Sequence, residues 1–143
     1  MAAPWADVLF AMDRAFWDHY GRQVRSAGFA GTLGTTCDLP GLTRIPALGV
    51  RNSGAGAIMF AYRYGARRVV LLGYDCKAQG NRKHWHRDHP RPLGNAGTLP
   101  KWPAQFAQML KVCPSLEILN ASRDTELDCF RRVNLEDVLP CHT

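Results

Sequence analysis

Residues 84–90 read His84-Trp85-His86-Arg87-Asp88-His89-Pro90, the densest gathering of potential chemistry in the 143 residues. Three kinds of chemistry fit these residue types. In an extended backbone alternate side chains share a side, so His84, His86 and Asp88 could present imidazole and carboxylate ligands to a metal ion. No fourth protein ligand follows at a recognisable spacing, and no metal site is assigned. Alternatively, one of His84, His86 and His89 acts as a general base. It takes a proton from an acceptor hydroxyl while Arg82, Lys83 or Arg87 neutralises a leaving phosphate. A surface loop whose histidines and Trp85 make only local contacts is the third reading.

A cluster of this kind works only if regular elements hold it against a binding surface. Asn52-Ser53-Gly54 supplies such a surface: Asn or Ser can cap a helix, and Gly54, Ala55, Gly56 and Ala57 are small enough to leave the first N–H groups open to an anion. Ile58, Met59 and Tyr62 continue at helical spacing, and Gly65 is suited to the left-handed conformation that ends a helix. Val69-Val70-Leu71-Leu72 then forms a continuous apolar run, expected as a central parallel strand covered on both faces. Tyr74 and Asp75 follow at its carboxyl end, where open α/β sheets bind ligands.

The remaining chain alternates in the same way. Residues 6–12 (ADVLFAM) predict a buried strand, with Asp13 as a helix cap or a ribose contact. The helix at residues 14–27 carries an apolar stripe of Phe16, Tyr20 and Val24 with Trp17 beside it. Residues 31–37 (GTLGTTC) predict a second strand. Pro40, Gly41, Pro46 and Gly49 make residues 38–50 a loop. After the histidine segment a helix resumes near Trp102, with Pro103 in its first turn, Phe106, Met109 and Leu110 on its buried side, and Pro114 as its stop. Residues 116–119 (LEIL) predict a strand ending at Asn120 and Ser122, which could read a base or sugar or could satisfy backbone groups in a turn. Ser122 is a possible cap for a short turn containing Leu127 and Phe130, and residues 135–139 form a last helical turn. This order points to α/β layers around a mainly parallel sheet.

Composition narrows the class further. With 46% hydrophobic and 21% charged residues the chain suits one globular domain over 1–143, burying roughly two thirds of its unfolded surface. A net charge of +6 favours anionic partners, nucleotides and nucleic acids included, and by itself chooses none of them. The basic residues are dispersed, with Arg67-Arg68 and Arg131-Arg132 only as pairs, so a nucleic-acid patch is weakly supported. Five cysteines without a CxxC pair fit reduced thiols in a cytoplasm better than a disulfide framework or a zinc knuckle. A secretory signal and a membrane span are both unexpected, and no resident cofactor is required.

The run NSG, a helix, GARRVVLLGYD, HWHRDHP and LEILNASRDTELDCF resembles phage and prophage proteins of the norphogenetic type, from PWADVLFAMDRAFWDHY onward. More distantly the pattern SG, helix, G, strand, G-x-D looks like the bacterial sialyltransferases that use CMP-sialic acid and the MptE-like pterin diphosphokinases. The resemblance implies a Rossmann-like, sialyltransferase-related fold and a nucleotide or nucleotide-sugar donor. It places Asn52, Ser53 and Gly54 against that donor, Tyr74 and Asp75 at the pocket rim, and a histidine among His84, His86 and His89 as base. Such relatives begin with a further strand and a GGGPS-like phosphate loop, neither of which is seen here. The flank of residues 7–12 is then expected to be an open sheet edge, through which copies could self-associate. A non-catalytic module that retains the fold is the alternative to a transferase, and a metal-dependent hydrolase is a third possibility.

Overall fold

The structure is a computed structural model, and it describes residues 5–78, 80, 88–91, 93–94 and 97–139. Strand β1 (Val8–Phe10) leads into helix α1 (Arg14–Ser26), then β2 (Thr32–Thr35) and the short β3 (Thr43–Arg44). Helix α2 (Ser53–Arg63) carries the chain to β4 (Arg68–Leu71). A 3-10 turn (Leu99–Lys101) opens α3 (Trp102–Ala107) and α4 (Met109–Val112), followed by β5 (Glu117–Asn120), β6 (Arg131–Arg132) and α5 (Leu135–Val138). The architecture is broadly α/β, and every described strand pair is parallel. The strands make two three-stranded sheets, ordered β1-β2-β3 and β4-β5-β6, where the sequence predicts one. No described helix is long and apolar enough to cross a membrane.

Helix α2 ties the two halves together, and its sequence explains how. The Asn52 side chain accepts from the Ala55 N–H at 2.7 Å, a cap worth about 1 kcal/mol, and Gly65 ends the helix region with φ at 91°. Ala55, Ile58 and Met59 are completely buried, and Phe60 meets the Phe10 ring of β1 with centroids 5.4 Å apart. Ile58, Met59 and Phe60 share one apolar cluster with Leu71 of β4, Met109 of α4 and Ile118 of β5. Small residues set the approach. A Cβ on Gly56 would lie 2.7 Å from the Phe10 ring, and one on Gly34 of β2 would lie 2.6 Å from the Phe60 ring.

Several expectations shift by a residue or an element. The buried stripe of α1 is Trp17, Gly21 and Val24 rather than Phe16, Tyr20 and Val24, because the Trp17 indole turns inward to donate to the Ala11 carbonyl at 2.9 Å. Asp13 stands at the N-cap of α1, but its side chain makes no capping bond. The loop at residues 38–50 contains β3, a two-residue strand too short to leave a periodic signature. The apolar run at residues 69–72 is an outer strand rather than a central one: Val69 and Leu71 pack into the cluster, Val70 is half-buried and Leu72 is exposed. Leu110 is exposed, since the helix predicted after Trp102 breaks into α3 and α4 and only Phe106 and Met109 turn inward. No helical turn follows Ser122; the chain instead reaches β6.

Because aromatic rings rather than flexible chain ends occupy the space over Gly34, Gly34→Ala is expected to lower stability by about 1–3 kcal/mol. Urea unfolding checks this, and an unchanged midpoint would show that the Phe10–Phe60 contact does not limit the approach of α2.

Candidate functional site

Three chain segments meet at the N-terminus of α2. The Met12 N–H, just past β1, donates to Ser53 Oγ at 3.3 Å. The Tyr74 hydroxyl, just past β4, donates to the Gly54 carbonyl at 3.4 Å. Asn52 Nδ2 donates to Gln105 Oε1 of α3 at 2.7 Å. Around this junction lies a cleft of about 670 Å³. Asp13, Arg51, Asn52, Ser53 and Gly54 line one side, and Gly73, Tyr74, Asp75 and Cys76 line a second. His89, Gly94, Gly97, Thr98, Trp102 and Phe106 complete it. A smaller hollow of about 450 Å³ at β6 and α5, lined by Arg131, Arg132 and Asn134 among others, gathers none of the groups singled out in the sequence.

Seven of the expected residues are therefore brought together: Asp13, Asn52, Ser53, Gly54, Tyr74, Asp75 and His89. Their side chains are not equally available. Both ends of the Asn52 carboxamide are engaged, one as the helix cap and one with Gln105, so this residue builds the site rather than reading a ligand. Ser53 Oγ accepts from Met12 and keeps its own hydrogen as a donor. The Ser53 and Gly54 N–H groups lie in the first helical turn ahead of any intrahelical acceptor. His84 and His86 lie outside the described residues, as do Arg82, Lys83 and Arg87. Among the described residues no group of three or more His, Cys, Asp and Glu side chains could hold a metal ion.

Asn120 and Ser122 do not line this cleft, and both are buried; Ser122 lines, with Gly73 and Asp75, a separate hollow of about 590 Å³. Asn120 Nδ2 donates to the Leu127 carbonyl at 3.1 Å, and its Oδ1 accepts from the Ser122 N–H at 3.0 Å. Ser122 Oγ in turn accepts from the Tyr74 N–H at 2.8 Å, and Thr125 Oγ1 donates to the Tyr74 carbonyl at 2.6 Å. Buried main-chain groups must be paired: Ser122 and Thr125 pair those of Tyr74 in the turn after β4, and Asn120 pairs those of the loop after β5. Their contribution is to hold Tyr74 and Asp75 at the rim.

Arg51, Cys76, Thr98, Trp102 and Phe106 line the cleft without having been singled out as site residues in the sequence. Arg51 is the one Arg or Lys among the described lining residues, and only its place directly before the Asn52 cap marks it beforehand. In the sequence Phe106 reads as core and Trp102 only as the start of a helix. Trp102 instead donates through its indole to Thr98 Oγ1 at 3.0 Å, and Phe106 packs edge-on to Tyr74 with centroids 5.5 Å apart. The turn after β4 is sharp: Gly73 has φ of 71° and Cys76, a non-glycine residue in the left-handed region, has φ of 52°. Burial pushes the Tyr74 phenol up to about 12, with the nearby Cys76 adding to the shift. Burial also pushes the Cys76 thiol up to about 11, reinforced by Cys129, Asp75 and Glu126. Both groups are therefore neutral at physiological pH, a hydrogen-bond donor and an unreactive thiol. Comparison of the chain with family models, curated proteins and solved structures finds no match.

Two outcomes follow from these raised values. An unfolded tyrosine ionises near 10, whereas folded Tyr74 holds its proton to about 12. Its contribution to stability is thus fully present below pH 10 and is lost as pH rises from 10 toward 12. Tyr74→Phe should remove that part of the alkaline loss while costing about 1 kcal/mol or less at pH 7, measured by thermal unfolding across pH. Cys76 should react with iodoacetamide at pH 8 more slowly than an unhindered thiol, since little thiolate is present; labelling resolved by peptide mass spectrometry checks it.

Proposed function

We propose that the cleft at the N-terminus of α2 binds the phosphate of a nucleotide or nucleotide-sugar donor and that the protein is a transferase of the phage or prophage type its sequence resembles. The observation that carries this reading is the convergence of the carboxyl ends of β1 and β4, two open helix N–H groups and Arg51 on one cleft. Helix N-termini and guanidinium groups both favour negative charge, and the ends of parallel strands are where α/β folds place ligands. The fold is read accordingly as a Rossmann-like, sialyltransferase-related arrangement with the cleft at its switch point. Trp102 and Tyr74 offer flat apolar surface to a base or sugar ring.

In the proposed reaction an imidazole accepts the proton of an acceptor hydroxyl as its oxygen bonds to the transferred carbon. The bond from that carbon to the donor phosphate breaks, and the phosphate leaves with the electron pair. Arg51 and the Ser53 and Gly54 N–H groups would stabilise the charge that develops on it. His89 lines the cleft and is the described candidate for the base; His84 and His86 are the others. A cytoplasmic setting suits a donor of this class.

A non-catalytic module is the second reading. It is favoured by the Asn52, Asn120 and Ser122 side chains being engaged by the protein itself and by two carboxylates, Asp13 and Asp75, on the cleft wall.

Titration calorimetry with CMP, UDP and GDP donors tests the proposal. At least one should bind, and Arg51→Ala should weaken it roughly 3- to 10-fold, the loss of about 1 kcal/mol expected for one exposed charge contact. Donor turnover that falls with His89→Ala supports the transferase. Binding without turnover supports the module, and no binding at millimolar donor disposes of the transferase.

A further inference from the structure

Parallel strands place ligands at their carboxyl ends, and β4, β5 and β6 all finish on one space. The hollow of about 590 Å³ lies there, walled by Leu72 and Gly73 after β4, Ala121 and Ser122 after β5, and Val133 after β6. Its volume falls within the ~300–1,000 Å³ of small-molecule sites. Among the described residues it shares only Gly73 and Asp75 with the cleft at α2, so it is a second space on the turn after β4 and not an arm of the first.

The charges of this hollow are not spent on one another. Arg123 and Arg132 line it together with Asp75 and Glu136, two groups of each sign. The ion pairs among the described residues join Arg68 and Arg131 to Glu117 and Lys77 to Asp124, and none involves these four. Arg132 is nevertheless fixed in place. Its Nη2 donates to the Ser122 carbonyl at 2.8 Å and to the Arg123 carbonyl at 3.2 Å, which leaves the N–H groups of Nε and Nη1 to a ligand. Ser122 supplies a further donor. It is only 3% exposed, its Oγ accepts from the Tyr74 N–H at 2.8 Å, and its own hydrogen has no acceptor among the described residues. A buried polar hydrogen is rarely left unpaired, and the hollow is the space from which a partner can reach it.

We propose that this hollow binds a small zwitterion carrying an apolar group, an amino acid or dipeptide with its amine free. The two guanidinium groups and the Ser122 hydroxyl favour a carboxylate, and Asp75 and Glu136 favour an ammonium. Two positive and two negative groups sum to zero. A purely anionic ligand would meet the carboxylates and a purely cationic one the arginines, whereas a ligand with both signs is matched at both. Leu72, which is exposed, and the half-buried Val133 and Leu135 offer apolar surface to its side chain. The inference concerns this second hollow and is independent of what the cleft binds.

NMR titration of the full chain tests it, with leucine and leucyl-leucine as probes. The amide signals of Leu72, Ser122, Val133 and Leu135 should shift and saturate at millimolar probe. N-acetyl-leucine and leucine amide, each lacking one of the two charges, should bind roughly 10-fold more weakly, the loss of one charge-assisted contact. Arg123 and Glu136 are exposed and outside every ion pair of the described residues, so Arg123→Gln and Glu136→Gln should leave the fold intact. Each should weaken leucine binding about 3- to 10-fold, and Arg123→Gln should not change the affinity for leucine amide. Absence of shifts at these four amides, or shifts confined to the cleft around Ser53 and Gly54, would overturn the proposal. So would N-acetyl-leucine binding as tightly as leucine, which would mark a site for a carboxylate alone, such as the carboxyl terminus of a protein.

Discussion

Three consecutive residues hold this protein's halves in register. Asn52 reaches α3, Ser53 takes the main chain leaving β1, and Gly54 receives the hydroxyl leaving β4. Each bond alone is worth about 1 kcal/mol, but together they bring two sheets that share no ladder to one helix terminus. A Cβ at Gly54 would sit 3.0 Å from the Phe106 ring and 3.1 Å from the Tyr74 ring, so a larger residue there would require these rings to shift by a few tenths of an ångström. The cleft is the space left over where they meet.

The same economy of polar groups governs the turn after β4. That turn bends through Gly73 and Cys76, leaving main-chain donors and acceptors that no strand can satisfy. Ser122 and Thr125 satisfy those of Tyr74 from the loop after β5, where Asn120 holds the Ser122 N–H, which makes the rim position of Tyr74 and Asp75 a property of β5 and its following loop as much as of β4. Tyr74 in turn is neutral because it is deep, and its phenol serves as a donor to the helix that forms the opposite wall.

The described lining of the cleft carries both signs of charge. Arg51 and the first turn of α2 share its wall with Asp13 and Asp75, although the chain as a whole carries +6. Elsewhere among the described residues positive charge is partly paired, as Arg68 and Arg131 are with Glu117. A net charge steers anions toward the protein, but recognition depends on the few groups inside the cleft.

Local chemistry was readable from the chain itself wherever a signal is short-range. The Asn52 cap, the Gly65 stop, the strand end at Asn120, and the gathering of Asn52 to Gly54 with Tyr74, Asp75 and His89 all follow from residue type and periodicity. Tertiary structure alone decided what depends on partners distant in sequence. It turned Trp17 inward to the Ala11 carbonyl, made Asn120 and Ser122 scaffold because a buried turn needed their hydrogen bonds, and placed Arg51 and Trp102 on the cleft wall. It also left Val69 to Leu71 on an outer strand, for an apolar run states that a segment prefers burial but carries no record of which neighbour provides it.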